Sequence, residues 1–411
     1  MKIISSTNKR AMQRVVIRKQ EIDPTIKRRV TRIIAAIRNQ GDHALKRYAR
    51  SLDKLSGPLE VPYSDIKNGA KQISPDLRSA IKEAAKNIRR IAKRQAPKKW
   101  KVMVVPGVSI EQRVTPLEKI GCYVPGGRYP LPSSLLMTAI PARVAGVNEV
   151  IAVCSKPDPI VFAAALEAHV SRFFQIGGAH AIAALAYGTA TVPKVDKIVG
   201  PGNKYVVAAK ALVSNDCPID FCAGPTEIVV LAEKGNANWI AADLIAQAEH
   251  DPDARAILLT TSSRLAHAVE RAVGKQLINN PAARSSIQKN GVAVITKDLN
   301  EAIEISNKIS PEHVVCERKS VAEKLTQAGT VFVGPYAVQA AGDYATGSNH
   351  VLPTNGTARF RGGLSASDFV RVNSIQYLNQ RGLRQIAPTV ISLANAEGLV
   401  AHAASVTVRG K

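Results

Sequence analysis

The residues best suited to proton transfer are the adjacent pair Glu312 and His313. They follow Pro311 and precede the apolar residues 314–316, so we predict that they lie where a loop enters a strand. Two different titratable side chains can divide two proton transfers, because His acts near neutral pH and Glu serves as a carboxylate base. A surface ion pair would give the same dipeptide, so this pattern leaves both interpretations open.

Two further segments carry side chains that could bind a metal or a substrate. Gln247 and His250 stand three residues apart at the end of a stretch with helical spacing, so an amide oxygen and an imidazole would share one face. Residues 341–350 place Asp343 and His350 among glycines and polar side chains, which is typical of a functional loop. A histidine that caps helix carbonyls and a polar surface loop are the structural alternatives.

Another carboxylate and another imidazole, those of Glu397 and His402, lie near the end of the chain. If this stretch is helical, the two residues are five apart and lie only roughly on one side. Spacing alone therefore assigns them no role.

The order of predicted elements indicates an α/β fold. From about residue 117, short β-branched runs alternate with glycine turns and Ala-rich amphipathic stretches, which predicts βαβ units and mainly parallel sheets. The predicted strands are 119–124, 149–154, 173–176, 197–199, 227–232, 256–260, 292–295, 313–316 and 330–334. The first hundred residues and those after about 365 have helical spacing instead. Glycine turns end three of the strands, and ligands of parallel sheets bind beyond the carboxyl ends of strands.

The positive charge is concentrated at the start of the chain. Of a formal net charge of +24, the first 100 residues carry +18, from 26 Lys and Arg against 8 Asp and Glu. Such a region could bind nucleic acid. However, the cations of residues 26–48 and 77–92 alternate with apolar residues at helical spacing, and aromatic platforms for bases are scarce. We therefore predict solvated helical faces and no nucleic-acid partner.

Composition and apolar patterning bear on the compartment. No uncharged apolar run reaches the roughly 18–20 residues of a membrane span, and residues 1–5 contain no apolar signal-peptide core. The five cysteines are scattered and never form Cys-x-x-Cys, which suggests neither a disulfide framework nor a thiolate zinc site. We expect a cytoplasmic protein with no membrane partner.

Eight segments, taken together and in order, resemble the histidinol dehydrogenase family over about residues 23–409. They are GCYVPGGRYPLPSS (121–134), GGAHAIAALAYGT (177–189), VDKIVGPGNKYVVAAK (195–210), AGPTEIVV (223–230), QAEH (247–250), PEH (311–313), GDYATGSNHVLPT (342–354) and AHAASV (401–406). The resemblance implies NAD-dependent four-electron oxidation of L-histidinol to L-histidine through L-histidinaldehyde, the last two steps of histidine biosynthesis. It also implies a zinc enzyme, one ion per subunit, that works as a homodimer with shared active sites.

The resemblance further implies two incomplete Rossmann-like domains with parallel sheets, plus helical N- and C-terminal segments. The expected divisions are an N-terminal segment (1–20), a discontinuous α/β domain carrying the catalytic and metal residues (21–121 and 226–365), an inserted NAD-binding domain (122–225), and a C-terminal helical segment (366–411) that contributes to the dimer partner's site. Incomplete Rossmann-like domains would explain why no Gly-x-Gly-x-x-Gly fingerprint occurs in the chain.

The resemblance also carries roles to individual residues. His313 removes the alcohol proton, and Glu312 deprotonates the water that hydrates the aldehyde. The zinc ligands are Gln247, His250, Asp343 and His402, the last reaching across from the dimer partner. The substrate contacts are Thr226, Gln247, His250, His313, Asp343, His350, Glu397 and His402. The NAD contacts are Tyr123, His180 and Asn203. Nitrogen and oxygen ligands suit zinc, and manganese or cobalt could also occupy the site.

Two positions depart from the family pattern, and other activities fit part of it. His180 stands where the family often has Gln, and Val338-Gln339 replaces a frequent Pro-Glu. The nearest alternative is a paralogous zinc- and NAD-dependent dehydrogenase of another small polar alcohol, such as a sulfonated diol. Glu397 and His402 favour histidinol, because they supply the amine contact and fourth ligand that it calls for. A zinc hydrolase that uses Glu312 on bound water would need no NAD.

Overall fold

The computed structural model describes residues 1–17, 22–127, 129–277 and 280–409. The strands are β1 (Lys2–Ser5), β2 (Trp100–Val105), β3 (Val108–Pro116), β4 (Lys119–Tyr123), β5 (Glu149–Val153), β6 (Arg172–Phe174), β7 (Lys197–Val199), β8 (Glu227–Leu231), β9 (Arg255–Thr260), β10 (Val292–Ile295), β11 (His313–Cys316), β12 (Thr330–Val333) and β13 (Val370–Leu378). In the described ranges, no helix combines the length and apolar composition that crossing a membrane requires.

The α-helices lie before, between and after these strands. They are α1 (Lys9–Val16), α2 (Pro24–Tyr48), α3 (Tyr63–Ala70), α4 (Pro75–Gln95), α5 (Pro132–Ala145), α6 (Pro159–Glu167), α7 (Gly178–Tyr187), α8 (Lys204–Val213), α9 (Ala237–Ala248), α10 (Ser263–Gln276), α11 (Pro281–Asn290), α12 (Leu299–Ile309), α13 (Lys319–Ala322), α14 (Gln339–Tyr344), α15 (Gln380–Ala396) and α16 (Val400–Thr407). The predicted α/β class with parallel sheets and helical terminal segments is confirmed.

Four strands form a parallel sheet in the order β6-β5-β4-β7. Successive side chains of β5 enter opposite cores: Val150 and Ala152 pack with α3–α6, whereas Ile151 and Val153 pack with α2, α7 and α8. The chain runs outward from β4 to β6 and then returns to the other side of β4. The strand order therefore reverses between β4 and β7, and ligands of such sheets bind at the carboxyl ends on either side of this point.

The basic N-terminal quarter forms amphipathic helices on this sheet. In α4, Ile81, Ala85, Ile88 and Ala92 recur at helical spacing and are buried, while most of its cations are exposed. This arrangement agrees with solvated helical faces. The predicted domain boundaries place residues 21–121 in one domain with residues 226–365. In the structure, the helices α2, α3 and α4 of residues 21–121 pack on the four-stranded sheet.

The second parallel sheet has six strands in the order β1-β10-β9-β8-β11-β12. Every residue of β8 is buried, because α9, α10 and α11 cover one face of the sheet and α1, α12 and α13 cover the other. Here the order reverses between β8 and β11. Because β8 and β11 are far apart in the sequence but paired in the sheet, the residues just before these two strands lie side by side, and so do the residues just after them.

A three-stranded antiparallel sheet, in the order β13-β3-β2, precedes the C-terminal helices. Residues 370–378 form a strand although we predicted helical structure after about residue 365. The strand forms because all nine residues of β13 pair with β3, and such long-range pairing overrides local preference. The strands β1, β2 and β3 were likewise not predicted, and helices α15 and α16 follow as expected.

Candidate active site

Predicted catalytic, metal and substrate residues meet at the amino ends of the adjacent strands β8 and β11. Thr226 and Glu312 each precede one of these strands, and Gln247 lies in the last turn of α9, which returns to the same edge. Thr226 Oγ1 donates to Glu312 Oε2, and Gln247 Nε2 donates to Thr226 Oγ1. Three predicted site residues, separated by up to 86 positions, thus form one chain of hydrogen bonds.

Glu312 is a buried carboxyl group at this edge. Its Oε2 also accepts a hydrogen bond of 2.9 Å from the backbone N–H of Glu227. Burial raises the pKa of Glu312 to about 8, although the hydrogen bonds from Thr226 and Glu227 act in the opposite direction. The loss of hydration outweighs these two hydrogen bonds. The pKa of Glu312 therefore lies close to neutral pH, where the group can both take up and release a proton.

His313 is the first residue of β11 and is also buried. Its Nδ1 lies 3.8 Å from Glu312 Oε2, and none of the described residues forms a hydrogen bond with this nitrogen. The imidazole lies beside the Phe332 ring, with 5.9 Å between ring centroids. Burial lowers the pKa of His313 to about 4, which leaves the imidazole neutral near pH 7. A neutral imidazole is able to accept a proton.

The second group of predicted site residues lies on and after α14. His350 Nδ1 is 3.1 Å from the backbone oxygen of Asp343 and 3.6 Å from its Oδ1. The pKa of His313 is lowered by burial and, to a smaller extent, by His350 and His250, whereas the Asp343 carboxylate acts to raise it, so these residues lie close enough to His313 to interact with it electrostatically. Burial also lowers the pKa of His350.

Several of these residues suit a metal ion. Gln247 is fully buried, and its Oε1 has no hydrogen-bond partner in the described part of the chain, so this oxygen is available as a ligand. Asp343 receives a hydrogen bond of 2.7 Å from Gln339 Nε2 at Oδ2, and its Oδ1 faces His350. Over residues 1–17, 22–127, 129–277 and 280–409, no group of three His, Cys, Asp or Glu side chains is placed to hold a metal within one chain.

The metal ligands predicted from the sequence do not require three such side chains in one chain. Within one chain they include only His250 and Asp343 of those four residue types, with Gln247 as a third ligand. Glu397 and His402 are exposed near the end of the C-terminal helical arm, and in the described ranges neither side chain forms a hydrogen bond or an ion pair with another predicted site residue. The oxygen and nitrogen donors of Gln247, His250 and Asp343 are of the kind that zinc binds.

The predicted NAD contacts lie at the carboxyl ends of the four-stranded sheet. Tyr123 ends β4, and its hydroxyl accepts a 3.0 Å hydrogen bond from the backbone N–H of Gly178 at the start of α7. His180 is buried in the first turn of the same helix. Asn203 follows β7 and caps α8, where its side chain accepts hydrogen bonds from the N–H groups of Tyr205 and Val206. The structure thus brings Tyr123, His180 and Asn203 to one edge, around the point where the strand order reverses.

Two polar residues without a predicted role contact these groups. Asp53 Oδ2 lies 2.7 Å from His180 Nε2 and accepts a hydrogen bond from the Gly177 N–H. Gln339 is buried and donates to Asp343. No spacing in the sequence connects Asp53 with residue 180, because their contact depends on tertiary packing. Gln339 was visible only as a departure from the family pattern.

Comparison with known proteins identifies the family. A family model described as histidinol dehydrogenase matches residues 16–410. A histidinol dehydrogenase of Methanosarcina barkeri is 42% identical, with 99% of this chain and 97% of the relative covered, and that of Aquifex aeolicus is 43% identical, with 92% and 91% covered. The crystal structure of histidinol dehydrogenase from Elizabethkingia anophelis superposes with a TM-score of 0.94 at 33% identity and covers 100% of this chain and 98% of that one. The chain therefore belongs to the histidinol dehydrogenase family.

Proposed function

We propose that this protein is an NAD-dependent dehydrogenase that oxidises L-histidinol to L-histidine through L-histidinaldehyde. The observation that carries the proposal is the buried pair at the start of β11, in which a neutral His313 lies beside Glu312 in a chain of this family. L-histidinol loses four electrons as two hydrides, one to each of two NAD, and one water supplies the second oxygen of the carboxylate. The paired side chains match the two different proton transfers that this sequence requires.

The two residues divide the proton transfers between them. His313 accepts the alcohol proton in the first oxidation, because its imidazole is already neutral near pH 7. Glu312 then accepts a proton from the water that hydrates the aldehyde, and Thr226 and the Glu227 N–H hold its carboxylate in place. Two NAD, bound in succession, would each accept one hydride, and a zinc ion would fix the imidazole and amine of the substrate.

The metal set comprises Gln247, His250 and Asp343 of one subunit with the partner's His402. Support comes from Gln247 Oε1, which has no hydrogen-bond partner among the described residues, and from the hydrogen bond that Asp343 accepts from Gln339. His350 contacts the substrate from its place beside Asp343, and Thr226 contacts it from its place between Glu312 and Gln247.

The homodimer completes the site. Glu397 and His402 lie in an arm whose apolar side chains Leu393, Leu399 and Val400 are exposed. Exposed apolar side chains that are grouped together mark a surface that binds another protein. A two-fold dimer would cover these side chains and carry the two polar residues into the neighbouring subunit. There Glu397 binds the substrate ammonium and His402 completes the metal set.

NAD binds at the carboxyl ends of the paired strands β4 and β7, in contact with Tyr123, His180 and Asn203. The reversal of strand order at this point supports the assignment. A cytoplasmic location is part of the same proposal, because all five cysteines are free and disulfides accumulate in oxidising compartments.

The deciding experiment is to supply the zinc-loaded protein with L-histidinol and excess NAD and to follow NADH. We expect about two NADH per L-histidinol consumed, with L-histidine as the product. A sulfonated diol serves as the comparison substrate and should give little or no NADH. Absence of NADH with L-histidinol, or faster reduction of NAD with the diol, would contradict the proposal.

A further inference from the structure

The loop that follows β7 is held by an ion pair that has no place in the chemistry described above. Lys210 of α8 and Asp220 are 3% and 1% exposed, and Lys210 Nζ donates to Asp220 Oδ1. Lys210 also donates to the Gly200 carbonyl at 2.9 Å, and Asp220 Oδ2 accepts from the Gly200 N–H at 2.7 Å. Both backbone polar groups of one buried loop residue are thus bound by the same pair.

The pair is itself anchored to the sheet. The Asp220 N–H donates to the Ile198 carbonyl of β7, and the Ile198 N–H donates to the Pro218 carbonyl, so residues 218–220 run beside β7 as a short added strand. Asp220 Oδ1 also accepts from the Phe221 N–H at 2.6 Å. Contacts outside the loop therefore hold the carboxylate in place. Lys210 is held in place because it lies on α8, the helix that follows the loop.

The loop in turn contacts the end of β4. Gly200 has a φ of +112°, and a Cβ at this residue would lie 2.2 Å from the Tyr123 carbonyl oxygen. Only glycine allows so close an approach in this conformation. Three residues later, Asn203 caps α8. The position of Gly200 therefore sets the distance between Tyr123 and Asn203, the two predicted NAD contacts on either side of the strand reversal.

We propose that Lys210 and Asp220 are positioning residues that hold the Gly200–Asn203 loop in the conformation that binds NAD. A buried ion pair is a weak source of stability, because apolar residues of similar volume often replace one at no cost. Its use here is geometric. If both side chains become apolar, the Gly200 N–H and carbonyl lose their partners, and the loop must move for these groups to reach water.

The test compares full-length zinc-loaded variants. Lys210→Met/Asp220→Leu is expected to raise the Kd of NAD, measured by calorimetry without L-histidinol, by about tenfold or more, which corresponds to about 1.4 kcal/mol. In turnover the KM for NAD should rise, while the KM for L-histidinol and the kcat at saturating NAD stay near their wild-type values. A purely structural pair would change the thermal midpoint without this selective effect on NAD.

Two further variants make the result decisive. Glu60→Gln/Arg172→Met removes a partly exposed ion pair between Glu60 and Arg172 of β6, a strand of the same sheet that lies away from Gly200, and should leave NAD binding unchanged. Asp220→Asn keeps the volume of the side chain and removes its charge, so it should weaken NAD binding by at least about threefold. If the apolar double variant does not fold, Asp220→Asn decides, and wild-type NAD affinity in it would overturn the assignment.

This inference rests on the proposed function, and the same measurements separate the two. If wild-type protein neither binds NAD nor reduces it, the proposed function fails, and the role of the pair fails with it. If wild-type protein binds NAD and oxidises L-histidinol, but the folded double variant binds NAD equally well, only the role of Lys210 and Asp220 is refuted.

Discussion

Replacing Glu312 by Gln should make the metal-free protein progressively more stable relative to the wild type as the pH rises, while impairing the second oxidation. Burial raises the pKa of Glu312 from 4.5 to about 8, so between these values the folded chain keeps a proton that the unfolded chain releases. The stability linked to this proton is fully present below about pH 4.5 and is lost as the pH rises to about 8. Gln does not titrate, so the Glu312→Gln variant escapes this loss.

The size of the effect follows from the pKa shift. One pKa unit corresponds to about 1.4 kcal/mol, so integration between pH 5 and pH 8 gives a loss of about 3.5 kcal/mol in the stability of the wild-type protein, which the variant keeps. The new amide also changes the contacts with Thr226 and the Glu227 N–H. That change is independent of pH, and it therefore cancels when the two pH values are compared.

The assay is denaturant unfolding of chelator-treated wild type and Glu312→Gln at both pH values. The variant should gain on the wild type as the pH rises. In turnover with zinc, the same variant should release about one NADH per L-histidinol and accumulate the aldehyde, because a general base contributes about 10²–10⁴-fold to a rate. A stability difference that stays constant with pH would refute the raised pKa, and two NADH at the wild-type rate would refute the role as base.

Three other outcomes test the rest of the site. His313→Asn should slow the first hydride transfer by about 10²–10⁴-fold, and an unchanged rate of single-turnover NADH formation would remove His313 from the mechanism. Equal mixing of His402→Ala and Glu312→Gln subunits should restore L-histidine formation to about a quarter of the wild-type rate if two-fold dimers share their sites, and no recovery of L-histidine formation would contradict sharing. Asn203→Ala should lower stability by about 1 kcal/mol through loss of the α8 cap, with Asn203→Asp expected to unfold like wild type.

Local patterns in the sequence were sufficient for the class of fold. The runs that became β5 and β8 are continuous apolar stretches between turns, and both are buried on two faces, as parallel strands must be. In contrast, β13 was missed because its nine residues are mostly exposed and owe their conformation to pairing with β3. A pattern that depends on burial cannot reveal a strand that is not buried.

For the active site, the sequence determined which side chains are present, and the tertiary structure decided what each can do. Glu312 and His313 are neighbours in any fold, but only burial moves their pKa values in opposite directions. Likewise, the Thr226–Glu312 hydrogen bond and the contact of Gly200 with Tyr123 join residues that only the order of strands in each sheet brings together. Desolvation and long-range contact depend on everything that packs around a residue, so no local stretch of sequence encodes them.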